Sequence, residues 1–271
     1  MLRSVAAAQA GVETEADRRE VLTTVGVAAF VWLVFSSAWP LLPLRWLVTL
    51  VHEAGHALVA TLVGGHVASV TMNEHGGGLT YWSYEGEVPT LRLILVASAG
   101  YVGTAVVGGV LLELATQVRR GRVAVLVLAA LIAAIGLAWV PWNTAPDGLA
   151  AQVSGSSSGD GRFTTFFCVA AVAVLLVLAA VRWDRLRRTV VLAMATILCF
   201  ASIDDLRTVL DISSRGGHSD AAIAAEATPL SSWMWSAIWL LLGAIACGLG
   251  LWAALGNDDA AAKSRPGSST A

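Results

Sequence analysis

The chain has 271 residues, of which 56% are hydrophobic and 13% charged, with a net charge of −2 and a mean hydropathy of +0.71. A soluble domain of this length does not need so much apolar sequence, and the slightly negative balance offers nothing to a polyanion, so a soluble globule and a nucleic-acid binder are both disfavoured. The cysteines Cys168, Cys199 and Cys247 each fall inside apolar stretches without C-x-x-C spacing and read as buried hydrophobes rather than as a redox or metal motif.

Residues 1–20 form a polar N-terminal arm of mixed charge, unlike a cleaved signal, and residues 21–39 are long enough to remain as a membrane helix. Further apolar segments follow at 44–63, 91–114, 123–140, 163–181, 189–202 and 233–255, several reaching the roughly 20 residues that cross a bilayer. The segment at 189–202 is short, but 203–210 contains no breaker, so its helix is expected to continue to about Ile212. Trp39, Trp46, Trp139, Trp142, Trp183 and Trp233 cluster near segment ends, as interfacial residues do. The expectation is an all-α polytopic membrane protein of about six to seven transmembrane helices. Its membrane-embedded domain covers 21–255, a disordered tail covers 256–271, and Ser154 to Gly159 reads as a flexible linker.

The second apolar segment carries the pentad His52-Glu53-Ala54-Gly55-His56. Histidines four apart lie on one face of a helix and can share a metal ion, and the intervening glutamate can take a proton from water at that metal. This is the H-E-x-x-H arrangement of zinc hydrolases. A single histidine on an apolar helix is more often a structural, hydrogen-bonded residue. Three ionisable groups within five residues of a membrane segment are costly and point to function instead. Glu53 is the expected catalytic base, with His52 and His56 as ligands of Zn2+.

After this segment, Val67, Ser69 and Thr71 alternate with Ala68, Val70 and Met72, a glycine-rich turn follows, and Leu79 to Trp82 returns. That pattern predicts a small β-hairpin directly after the H-E-x-x-H helix. Its edge would accept an extended substrate as an added strand, and the plain alternative is a surface hairpin. The third segment is rich in small residues, among them Ala99, Gly100, Gly103, Gly108 and Gly109, which would suit close packing against the Ala54-Gly55 face.

Two basic loops, Arg119-Arg120-Gly121-Arg122 and the arginine-rich stretch from Arg182 to Arg188, lie two crossings apart and are cytoplasmic by the positive-inside rule. This expectation puts the C-terminus in the cytoplasm and the polar connections 64–90, 143–162 and 204–232 on the other side.

A third metal ligand must come from elsewhere in the chain. The extended H-E-x-x-H-x-x-G-x-x-H pattern would need histidine where Leu62 stands, His66 falls outside that spacing, and His75 belongs to the glycine-rich turn. The candidates are Asp147, within Asn143-Thr144-Ala145-Pro146-Asp147-Gly148, and the pair Asp204-Asp205. His56 lies about seven residues, or roughly 10 Å, from the outer end of its helix. Asp205 would lie at a similar depth if its own helix reaches Ile212. Depth thus allows Asp205, while Asp147 would require a re-entrant path after Pro141, and both stay open on the residues alone.

At these residues the chain resembles the site-2 protease superfamily of intramembrane zinc metallopeptidases, and looks closest to its B-type branch. The resemblance covers roughly 44–255. It rests on Val51 to Leu58, Gly64-Gly65, Gly77-Gly78-Leu79-Thr80, Asn143 to Leu149, Ser202 to Leu206, and Ser219-Asp220-Ala221 with a tryptophan-rich helix downstream. It implies His52 and His56 as zinc ligands and Glu53 as base. For the third ligand it divides between Asp147, in a compressed Asn-x-x-Pro…Asp-Gly motif, and Asp205, matching the B-type pattern. Together with helix continuity and depth, the B-type resemblance makes Asp205 the expected third ligand and Asp147 the alternative. It contains no PDZ-like insert. The expected partners are the lipid bilayer and a membrane protein or peptide substrate, with no nucleic acid. The rival readings are a non-proteolytic membrane scaffold retaining the fold and an ion-coupled transporter. A transporter would be expected to show paired repeats or broken helices, and none is evident.

Overall fold

The computed structural model describes residues 2–116, 121–141, 161–215 and 219–263, with side chains for all of these except 2–17, 116, 202–215, 254 and 256–263. The elements run α1 (Leu2–Phe35), α2 (Leu42–Leu62), β1 (His66–Met72), β2 (Gly78–Ser83), α3 (Thr90–Thr116), α4 (Gly121–Trp139), α5 (Gly161–Ala180), α6 (Asp184–Arg215), α7 (Asp220–Glu226) and α8 (Ser232–Lys263). Each apolar segment of the sequence falls largely within one long helix. α6 continues through Arg215, as the absence of a breaker predicts, and α8 runs on to Lys263, past the boundary expected for the tail.

Among the described residues, four helices are long and apolar enough to cross a membrane: α3, α4, α5 and α8. The expected count of six to seven is not reached on these terms. The physical reason lies in α1, α2 and α6. α2 spends three of its positions on His52, Glu53 and His56, α1 carries its charges within residues 3–20, and α6 carries charges towards both ends, which shortens the uncharged run of each. Leu137, Phe166 and Trp252 are all more than 70% exposed on the outer faces of their helices, an exterior suited to lipid rather than water.

α3 is the central element. It packs against α2, α6 and α8, while α4 pairs with α5 and α1 lies along α6. Its small residues permit these approaches. A Cβ on Gly108 would sit 2.8 Å from the Ala195 carbonyl oxygen and the Cys199 nitrogen of α6, and one on Gly109 would sit 2.8 Å from the Ala246 carbonyl oxygen of α8. Backbones therefore touch where a side chain would hold them apart. The main core gathers Leu47, Leu50, Val51, Leu111, Leu128, Ile132, Leu192 and Leu198 from α2, α3, α4 and α6.

β1 and β2 pair antiparallel, with a bulge between Val67 and Ser69. The hairpin turns back along α2 instead of leaving it. Trp46 Nε1 donates to the Glu74 carbonyl at 3.1 Å, and the Thr49 hydroxyl donates to the Gly76 carbonyl at 2.8 Å. Thr49 stands about 20 Å before the end of α2 by helical rise, so the tip of the hairpin returns to the depth of the helix's first half. One side of the hairpin is thus held against α2, while Glu74 and His75 of its turn remain exposed. Strand backbone at that depth needs every polar group satisfied or facing a cavity. Val70 and Met72 are fully buried, and the Met72 N–H donates to the buried Thr164 hydroxyl of α5 at 2.7 Å. Thr164→Val would leave that N–H unpaired, and the expected cost is about 1–3 kcal/mol. Thermal unfolding of detergent-solubilised protein checks it against Thr61→Val, whose hydroxyl bonds only the Ala57 carbonyl of its own helix.

Candidate metal centre

The pentad lies mid-helix in α2, where spacing of four places His52 and His56 on the face turned to α3. Their Nε2 atoms are 2.9 Å apart. His56 Nδ1 lies 2.6 Å from the Val96 carbonyl oxygen of α3 and donates to it. That bond fixes the tautomer, so Nε2 carries the lone pair towards His52. The approach of the two helices is as close as backbones allow. A Cβ on Gly55 would lie 2.4 Å from the Ala99 carbonyl oxygen, in agreement with the expected packing on the Ala54-Gly55 face.

A third donor comes from α7. Asp220 opens this helix, behind Ser219, whose extended backbone (φ −134°, ψ 161°) and side chain accepting from the Ala222 N–H form its N-cap. Asp220 Oδ2 lies 3.4 Å from His52 Nε2 and 3.3 Å from His56 Nε2.

The three donor atoms all lie within 4.8 Å of one another. Ligands about 2.0–2.2 Å from a tetrahedral zinc stand about 3.3–3.5 Å apart, so the two carboxylate–imidazole separations fit such an ion and the imidazole pair is slightly tighter. Space is kept for it by a missing side chain. A Cβ on Gly100 of α3 would fall 2.4 Å from His52 Nε2 and 2.5 Å from His56 Nε2. Two imidazoles, one carboxylate and a glycine-lined gap suit Zn2+ with one position open.

Glu53 is buried beside this group, and its carboxylate is held in place. Thr80 of β2 donates its hydroxyl to Glu53 Oε2 at 2.7 Å and also lies 2.9 Å from the Glu53 carbonyl oxygen. Gly78 lets the strand close over it, since a Cβ there would sit 2.7 Å from Glu53 Cγ. A cavity of about 270 Å³ opens here. It is lined by Glu53 and His56 of α2, by Gly78 to Thr80 and Trp82 of β2, by Leu93, Val96 and Ala97 of α3, and by Asp220 and Ile223 of α7.

A family model described as Peptidase M50B-like matches residues 23–145 and 161–250. The chain belongs to the Peptidase M50B-like family. The matched residues cover most of the 44–255 stretch that resembles the site-2 proteases, leaving out 146–160 and 251–255, and agree with that resemblance; family and apolar helices together make this a membrane metallopeptidase-family protein. No curated protein and no solved structure matches the chain.

In this M50B-like chain, His52, Glu53 and His56 come together as their spacing requires. Asp205 lies within α6, but its side chain is outside those described, and Asp147 lies outside the described residues altogether. His75 is exposed in the hairpin turn beside Glu74. Sequence reasoning counted Asp220 only among the residues of the family resemblance, Thr80 there and in the hairpin, and Gly100 only in helix packing, and gave none of them a place at the metal. The Ser-Asp start of α7 is a readable helix-cap signal. Nothing local, however, says that a seven-residue helix returns to the metal face of α2.

Proposed function

We propose that this chain is an intramembrane zinc metalloprotease that hydrolyses peptide bonds of membrane-associated substrates. His52, His56 and Asp220 would hold the ion and Glu53 would act as general base. The observation that carries this reading is the convergence of three donor atoms beside a buried glutamate, in a cavity lined in part by a strand. When bound, zinc supplies Lewis acidity, acidifying water and polarising a carbonyl.

The chain's own residues do the rest. Thr80 holds Glu53 Oε2, which leaves Oε1 on the Gly78 side to take a proton from water and later deliver it to the leaving amine. Among the described residues β2 pairs with β1 along one edge only, and Leu79, Thr80 and Trp82 of β2 line the cavity. An extended peptide adding to the other edge would be held by backbone hydrogen bonds above the metal group. Asp220 takes the role that sequence reasoning gave to Asp205, with Asp147 as the other candidate. The protein would sit in the cell membrane, and if every apolar segment crosses, the positive-inside rule puts its C-terminus in the cytoplasm.

Glu53→Gln tests the chemistry. It keeps the shape and the hydrogen bond from Thr80 but cannot accept the proton. The variant is expected to retain zinc and lose cleavage of a co-expressed membrane substrate by about 100-fold or more. Cleavage at the wild-type rate would point to another base. Zinc-loaded wild type that cleaves no membrane substrate would favour a scaffold that retains the fold.

A further inference from the structure

α7 is seven residues long, far below the roughly 12–15 at which an isolated helix becomes even marginally stable, so its place depends on tertiary contacts. Those contacts form a small cluster of their own, apart from the main core. Ala221 and Ala224 of α7 are fully buried against Ala97 and Tyr101 of α3 and Trp239 of α8. The far end is tied as well: Trp235 Nε1 of α8 donates to the Thr228 hydroxyl at 2.9 Å, and that hydroxyl bonds the Ala224 carbonyl at 2.7 Å.

The same aromatic rings reach the metal face. Tyr101 stacks on Trp239 with centroids 4.5 Å apart and planes 13° from parallel. Trp239 is anchored by donating Nε1–H to the Ser98 hydroxyl at 2.9 Å. The edge contact between Tyr101 and the His52 ring, 4.6 Å apart and at 90°, completes a column from α8 to the first histidine. One face of Tyr101 thus sets the ring of one donor, while the cluster it belongs to seats the helix that carries another.

We propose that Tyr101 and Trp239 are positioning residues of the metal centre. Their aromatic column orients His52 and docks α7 with Asp220, so that metal binding and the docking of α7 are one coupled event. The coupling is reciprocal: what loosens α7 weakens the metal, and removing the metal loosens α7. This inference rests on the metal reading above.

The test uses the full-length protein in detergent, titrated with Zn2+ and Co2+ against a chelator, with hydrogen exchange followed along the chain. Tyr101→Leu and Trp239→Leu are expected to weaken metal binding about 10- to 100-fold, the range typical of contacts that orient a ligand, and to dull the visible absorption of the cobalt form. Both variants should speed exchange at 219–228 while α4 keeps its protection, which separates a local effect from misfolding. Tyr101→Phe, which keeps the ring and its stacking on Trp239, should lose less metal affinity than Tyr101→Leu. Chelating the metal from wild type should speed exchange in the same segment. The inference is overturned if Tyr101→Leu takes up metal as tightly as wild type, or if chelation leaves 219–228 unchanged. A wild-type chain that takes up no metal at all overturns the metal reading and this inference together.

Discussion

Asp220→Ala is expected to strip the metal from a chain that otherwise folds normally. Two imidazoles from one helix hold zinc poorly without a third anchor, and Asp220 is the carboxylate whose oxygen lies 3.3 and 3.4 Å from their Nε2 atoms. Losing a contact that merely supports a ligand costs about 10- to 100-fold in metal affinity, so losing the ligand itself is expected to exceed that range. Asp220 also opens α7, but the cap is supplied by Ser219, so the helix keeps its start. Zinc content after supplementation and chelator competition provide the measurement, with Asp205→Ala and Asp147→Ala alongside. The expected order is a large loss for Asp220→Ala and near-normal zinc for the other two. Full zinc in Asp220→Ala with loss in Asp205→Ala would move the third ligand to α6.

The contrast between these aspartates shows what a sequence of this kind gives away. His52, Glu53 and His56 are legible because their relation is local: a helix of known rise puts i and i+4 on one face whatever surrounds it. The hairpin is legible for the same reason, since Val70 and Met72 alternate with Ser69 and Thr71 and the turn is rich in glycine. Its direction is not. The return along α2 is made by Trp46 and Thr49 donating to backbone carbonyls of the turn, and carbonyls leave no trace in residue types. Asp220 stands 168 residues from His52. Depth could be compared for Asp205 because it rides on a long helix, whereas α7 is a short one docked by aromatic rings. Sequence places Ser219 and Asp220 in a cap pattern, but only packing against Tyr101 and Trp239 brings that cap to the metal face.

Gly100→Ala is expected to abolish metal binding although it adds a single methyl group. That methyl would lie 2.4 Å from His52 Nε2, 2.5 Å from His52 Cε1 and 2.5 Å from His56 Nε2, among the atoms that would grip the ion. α3 cannot easily withdraw, because the Val96 carbonyl is tied to His56 Nδ1. The imidazoles must turn instead, breaking the arrangement that points both Nε2 atoms at one place. Overpacking of this kind costs about 1–3 kcal/mol of stability, which a folded membrane bundle can survive, while the donor geometry cannot. Gly103→Ala, one turn along, is the control, since its Cβ would meet only Gly55 Cα at an ordinary 3.7 Å. Zinc analysis and thermal unfolding of both variants decide the matter. Gly100→Ala should be folded and metal-free, and Gly103→Ala folded and loaded. A Gly100→Ala protein with full zinc would mean that the donors meet the ion away from α3, and that the bare backbone at this position serves only helix packing.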